Sequence, residues 1–108
     1  MGRLVFLSGQ VALDAEGQVL APGDVTRQAE IACERLSSLM AAAGGSLADV
    51  VKLTVFLTDM RFREAFAAVR DRFFPPPFPA STLVQVAGLA APGLLVEVEA
   101  IAVLPGPR

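Results

Sequence analysis

Two carboxylates, Glu97 and Glu99, alternate with apolar residues in the run Val96-Glu97-Val98-Glu99-Ala100-Ile101-Ala102. Residues two apart on an extended strand share a face, so both carboxylates leave the strand on the same side. The chain has no histidine, which excludes Ser-His-Asp and Cys-His nucleophilic catalysis and an imidazole base, so acid–base work falls to carboxylates or water. A plainer reading of the alternation is a pair of solvent-facing residues on an edge strand. The single cysteine, Cys33, cannot form an internal disulfide, and without histidine the common Cys/His zinc sites are out of reach. Cys33 lies among Ile31, Ala32 and Leu36 with no cation placed to lower its pKa, the setting of an inert buried thiol. Gly44-Gly45 and the stretch from Gly88 to Gly93 lack the spacing of phosphate-cradling loops and are read as turns.

Composition narrows the classes further. With 108 residues the chain has room for one core, a single domain over 1–108. Nine Lys+Arg against eleven Asp+Glu leave a net charge of −2, and the basic residues are scattered singly, so no footprint for a phosphate backbone exists and nucleic acid is not an expected partner. A mean hydropathy of +0.57 is high for a small domain, whose surface-to-volume ratio leaves much of the chain in water, and it implies apolar surface buried against other subunits. Arg3 is followed by only four apolar residues, Leu4 to Leu7, too few for a signal peptide, and the unpaired cysteine suits a reducing cytoplasm. The uncharged stretch from Phe73 to Val96 is interrupted by Pro75, Pro76, Pro77, Pro79 and Pro92, so it is read as a loop and a strand, not a membrane span.

The elements that must position these side chains follow from periodicity. Leu4 to Leu7 reads as a buried strand, and Asp14 to Gly17 as a turn leading to a short return strand around Gln18 to Leu20. Asp24 is placed to cap a helix with apolar positions Val25, Ala29, Ala32, Leu36, Leu39 and Ala43, stopped by Gly44-Gly45. Ser46 to Asp49 has the form of a capping box. Val50 to Thr58 is a strand with Val51, Leu53, Val55 and Leu57 on one face. Asp59 can cap a second helix that buries Phe62, Phe66, Val69 and Phe73. After the stiff Pro75–Pro79 connector come strands over Ser81–Val86 and Leu94–Leu104. The order β-β-α-β-α-β-β predicts an α+β fold, a mixed sheet with two helices on one face. Its other face stays apolar, and a subunit interface is the economical cover.

Four stretches in this order resemble the Rid family, also called YjgF-like: Leu4 to Gln10 ending in Ser-Gly-Gln, Asp49 to Asp59, Phe78-Pro79-Ala80, and Val96 to Ala102. The resemblance covers Leu4 to Val103. It implies a chorismate-mutase-like α+β sandwich assembled as a cytoplasmic homotrimer with clefts between subunits. It also implies hydrolysis of enamine and imine intermediates, chiefly 2-imino acids, with no metal or organic cofactor. Some members carry the label of endoribonuclease L-PSP or translation inhibitor. The negative charge and the lack of Tyr and Trp for base stacking speak against that activity here.

Residue by residue, the resemblance places Glu97 at the water-directing glutamate and Gly9 at a ligand-contacting backbone position. Deaminases of the family carry Pro-Ala-Arg where this chain reads Pro79-Ala80-Ser81-Thr82, so the guanidinium that would grip a carboxylate is missing. Charge-assisted hydrogen bonds are worth roughly 1.5–3 kcal/mol each, and losing a bidentate pair weakens engagement of a 2-imino acid by roughly 3–5 kcal/mol. Ser81 and Thr82 offer hydroxyls instead, and Arg70, where the family usually has tyrosine, is a candidate displaced cation. The resemblance implies an upstream segment with a pocket tyrosine before Ser8-Gly9-Gln10, whereas this sequence starts at Met1 with Gly2-Arg3-Leu4, read as either loss of the first strand or a misassigned start. The expected ligand is a small imine, enamine or keto compound; the alternative is a metabolite-sensing or protein-binding trimer without catalysis.

Overall fold

A computed structural model describes residues 2–106. The chain forms β1 (Arg3–Gln10), α1 (Val25–Ala42), β2 (Val50–Leu57), α2 (Arg63–Phe73), β3 (Ala80–Gln85) and β4 (Val96–Leu104). One sheet holds all four strands in the order β1-β4-β2-β3. β4 runs antiparallel to both β1 and β2, while β3 lies parallel to β2. The parallel pair requires a crossover, which α2 and the proline connector supply.

Both helices cover the same face, as the α+β reading requires. In α1 the buried stripe is Ala29, Ala32, Cys33, Leu36 and Met40, the three- and four-residue steps of one helix face. Leu39, expected in that stripe, is exposed, and Met40 takes its place one position further round the helix. Asp24 caps α1 by accepting the Arg27 amide at 3.0 Å. Gly44 follows the helix with φ +91°, a left-handed conformation that a side chain would strain. The capping box forms as expected: Ser46 Oγ accepts the Ala48 amide at 3.2 Å and Asp49 Oδ2 accepts the Ser46 amide at 2.9 Å. Asp59 caps a short 3₁₀ turn over Met60–Phe62, and α2 begins only after it. Phe66 and Val69 of α2 are buried, with Phe62 and Phe73 packed partly against the core.

Besides Leu39, three expectations fail locally. The strand over Leu4 to Leu7, read as buried, buries Leu7 but leaves Leu4 and Phe6 exposed, because alternate residues of β1 face the open side. The return strand around Gln18–Leu20 does not join the sheet; Asp14 Oδ1 accepts the amides of Glu16 and Gln18, and one bridge, Leu13 to Val19, closes the turn. Turn chemistry formed the hairpin, but its second arm has no further strand to pair with. In β2 a bulge between Val50 and Lys52 turns Val50 into the core and leaves Val51 exposed, reversing the faces assigned to those two residues. Beyond the bulge Leu53, Val55 and Leu57 are buried as predicted.

Among the described residues no helix covers the other face of the sheet. Leu4, Phe6 and Ser8 of β1 stand there, with Glu97, Glu99, Ile101 and Val103 of β4, Lys52, Thr54 and Phe56 of β2, and Thr82 and Val84 of β3. Phe6 is 72% exposed and Leu4 64%.

Candidate functional site

Glu97 lies on β4 between Val96 and Val98, which are fully buried beneath the helices. Strand alternation therefore forces its side chain to the open face, where it is half-buried. Between Leu7 and Gln10 the pairing of β1 with β4 slips, so that Gln10 meets Val98. The slip carries Gly9 against Glu97: a Cβ built on Gly9 would stand 2.6 Å from Glu97 Cδ and 2.8 Å from Cγ. Only glycine leaves room for the carboxylate at this point. The backbone of Gly9 and the carboxylate of Glu97 thus stand side by side on the open face, a contact that the sequence did not announce.

Beside it lies a depression of about 270 Å3 lined by Phe6, Ser8, Lys52, Thr54, Glu99 and Ile101. Glu99 is paired across the strands with Thr54, and Thr54 with Thr82, so the three share one row of the open face. Lys52, the sole lysine of the chain, donates from Nζ to Thr82 Oγ1 at 2.7 Å and to the Leu53 carbonyl at 2.8 Å. Sequence reasoning passed over Lys52; its signal was a lone cation on the polar side of an otherwise apolar strand.

Three expected site residues do not converge with Glu97 in one protomer. Ser81 pairs with Leu53, whose side chain is buried under the helices, so Ser81 leaves the sheet on the side opposite Thr82 and Glu97. The two adjacent hydroxyls cannot act together in place of a guanidinium, because neighbours on a strand face opposite ways. Thr82 is on the open face but is engaged by Lys52. Arg70 sits in the helical layer and donates from Nε to Asp71 Oδ1 at 3.1 Å, so within the protomer it supplies no cation beside Glu97.

A second residue that the sequence did not flag fixes the start of β4. Gln28 on α1 is fully buried. Its Nε2 donates to the carbonyls of Ala21 at 3.3 Å and Gly93 at 3.0 Å, and its Oε1 accepts the Leu95 amide at 2.9 Å. These bonds tie both flanking loops to α1 and set the register from which Glu97 projects. A polar residue at a helical step inside the apolar stripe was the available signal. Cys33 is buried, and loss of solvent pushes its thiol pKa up to about 12, aided by the charge of Glu34. A thiol held protonated in this way is no nucleophile.

A mixed sheet with two helices on one side and a glutamate standing beside a glycine on the other defines a small α+β protein with polar groups on its uncovered face. The family described as Endoribonuclease L-PSP matches residues 1–104, and the chain belongs to that family, the Rid or YjgF-like proteins. It is 41% identical to protein DfrA of Myxococcus xanthus over 94% of this chain and 77% of that one. It is 39% identical to a 2-iminobutanoate/2-iminopropanoate deaminase of Capra hircus over 94% of this chain and 73% of that one. Among solved structures, RidA from the Antarctic bacterium Psychrobacter sp. PAMC 21119 superposes with a TM-score of 0.83 at 38% identity, covering 92% of this chain and 79% of that one. Among the described residues no helix is long and apolar enough to cross a membrane.

Proposed function

We propose that this chain binds small imines, enamines or related keto compounds in clefts of a homotrimer and hydrolyses the carbon–nitrogen bond, with Glu97 directing the water. The observation that carries the reading is the contact between Gly9 and Glu97 on the open face, which holds a carboxylate against half-buried backbone. Likeness to the deaminase of Capra hircus supports the reaction class. In the reaction Glu97 takes a proton from water as the oxygen bonds to the imine carbon, and that proton passes on to nitrogen. The carbinolamine so formed gives up its hydroxyl proton to Glu97, which returns it to nitrogen, and the carbon–nitrogen bond breaks to release ammonia as the carbonyl forms. The hydrolysis transfers no electrons and calls for no redox cofactor.

Subunits supply what one protomer lacks. The exposed Leu4, Phe6 and Val103 favour burial of the open face against further copies. The free, buried Cys33 fits a reducing cytoplasm.

Ser81 shapes the substrate range. Without a guanidinium at this position, 2-imino acids bind weakly and substrates without a carboxylate compete on equal terms. The test is a series of freshly generated imines, with and without a carboxylate, hydrolysed by the wild type and by Ser81→Arg. The expected result is a lower KM for carboxylate-bearing imines in Ser81→Arg and little change for the others. Equal response of both classes would remove Ser81 as the determinant, and ligand binding without turnover in either protein would favour a metabolite sensor.

A further inference from the structure

On the open face two opposite charges stand close without meeting. Lys52 lies directly across from Ile101, so Glu99 is its diagonal neighbour, at the roughly 7–8 Å typical of such pairs and within reach of a long side chain. Yet the ion pairs among the described residues all use arginines: Arg27, Arg61, Arg70 and Arg72. Lys52 leans the other way, toward β3, and gives two of its three donors to Thr82 of that strand and to the Leu53 carbonyl of its own. Glu99 remains on β4 on the far side of Thr54, half-buried.

This arrangement sits in the middle of the surface with the most exposed apolar side chains. Phe6 lines the depression that also holds Lys52 and Glu99, while Leu4 and Val103 continue the apolar surface beyond it. Covering such a face with an apolar partner would strip solvent from a carboxylate and an ammonium and leave both uncompensated, at a cost of several kcal/mol per ion. Glu97 stands apart beside Gly9 at the slip in β1, so the depression itself holds one charge of each sign, Lys52 and Glu99, and is complementary to a second copy of itself.

We propose that Lys52 of one protomer pairs with Glu99 of a neighbouring copy, and that this pair sets the register in which open faces associate. The inference rests on the trimer reading above and adds the contact that selects it. A ring of three copies with head-to-tail pairing satisfies every Lys52 and every Glu99 once, and the free third donor of each ammonium is the one used.

The test compares the solution masses of wild type, Lys52→Glu, Glu99→Lys, a mixture of the two variants, and the double variant, each checked for native circular dichroism. Expected are a wild-type trimer, dissociation of each single variant at the same concentration, and recovery on mixing, since a mixed ring matches two of its three contacts. Single variants as fully trimeric as the wild type would overturn the pair. So would recovery in the double variant without recovery on mixing, which would place the pairing inside one protomer. A monomeric wild type would overturn the trimer reading and the pair with it. If Lys52→Glu does not fold, Glu99→Gln carries the test: the wild-type trimer should dissociate more readily as salt is raised, and Glu99→Gln should lose most of that dependence. An unchanged salt dependence would contradict the proposal.

Discussion

The two faces of the sheet solve opposite problems with the same four strands. Under the helices Leu53, Val55, Leu57, Val96 and Val98 are buried, and Gln28, the one polar side chain sealed in among the described residues, has its amide bonded at both ends. On the open face Glu97, Glu99 and Lys52 stand among exposed Phe6 and Leu4. A face with every group satisfied holds the fold together and has nothing left to offer a ligand. A face with unmatched charge and apolar surface contributes little to the protomer and is available for partners and chemistry. Substitutions should therefore divide by face, with stability lost on one and assembly or turnover lost on the other.

The largest effect should come from the helical side. Phe66→Ala removes a fully buried ring and should lower unfolding free energy by roughly 3–5 kcal/mol in a denaturant titration. Gln28→Leu keeps the volume but strands two carbonyls and an amide, and should cost about 2–3 kcal/mol. Were Gln28→Leu neutral, the account of how the start of β4 is held would be wrong.

Gly9→Ala sharpens the comparison from the open side. Its methyl group displaces the Glu97 carboxylate, so turnover should fall nearly as far as in Glu97→Ala, while stability drops by only about 1–3 kcal/mol, the usual range for overpacking. Full activity in Gly9→Ala would separate that glycine from the site.

Titration gives the mildest effects. Burial raises the Cys33 thiol to about 12, so native protein at pH 8 should resist alkylation that unfolded chain accepts readily. The raised value means that its contribution to stability is complete below the ordinary thiol pKa of 9.0 and is lost as pH climbs toward 12. Glu30 is held below its usual 4.5, first by Arg72 and then by Arg27, and Asp59 below 3.8 by Arg61. Their contribution is present above those ordinary values and fades as pH falls through the lowered ones, a small, salt-screened loss because these groups are in water.

Much of the fold was legible because local chemistry and burial agree. The stripe from Ala29 to Leu36, the alternation of Leu53, Val55 and Leu57 and the caps at Asp24 and Ser46 all depend on near neighbours. Val50 and Val51 were misread because a bulge is decided by pairing with β4, which no local pattern announces. The return arm after Gly17 failed for the same reason, since a strand needs a partner across the chain. Glu97 and Gly9 were identified through family motifs, and their contact became visible only when the slip in β1 brought them together. Ser81 and Thr82 looked like one pair of hydroxyls in sequence and are separated by the sheet itself, while Lys52 gained its place through Thr82, thirty residues away.

The most direct test of the account is the rate of imine hydrolysis by wild type and Glu97→Ala, measured against the uncatalysed rate in the same buffer, with both proteins shown to be folded and equally assembled. The account predicts acceleration by the wild type that is lost in Glu97→Ala. An accelerated rate that Glu97→Ala leaves unchanged would contradict it.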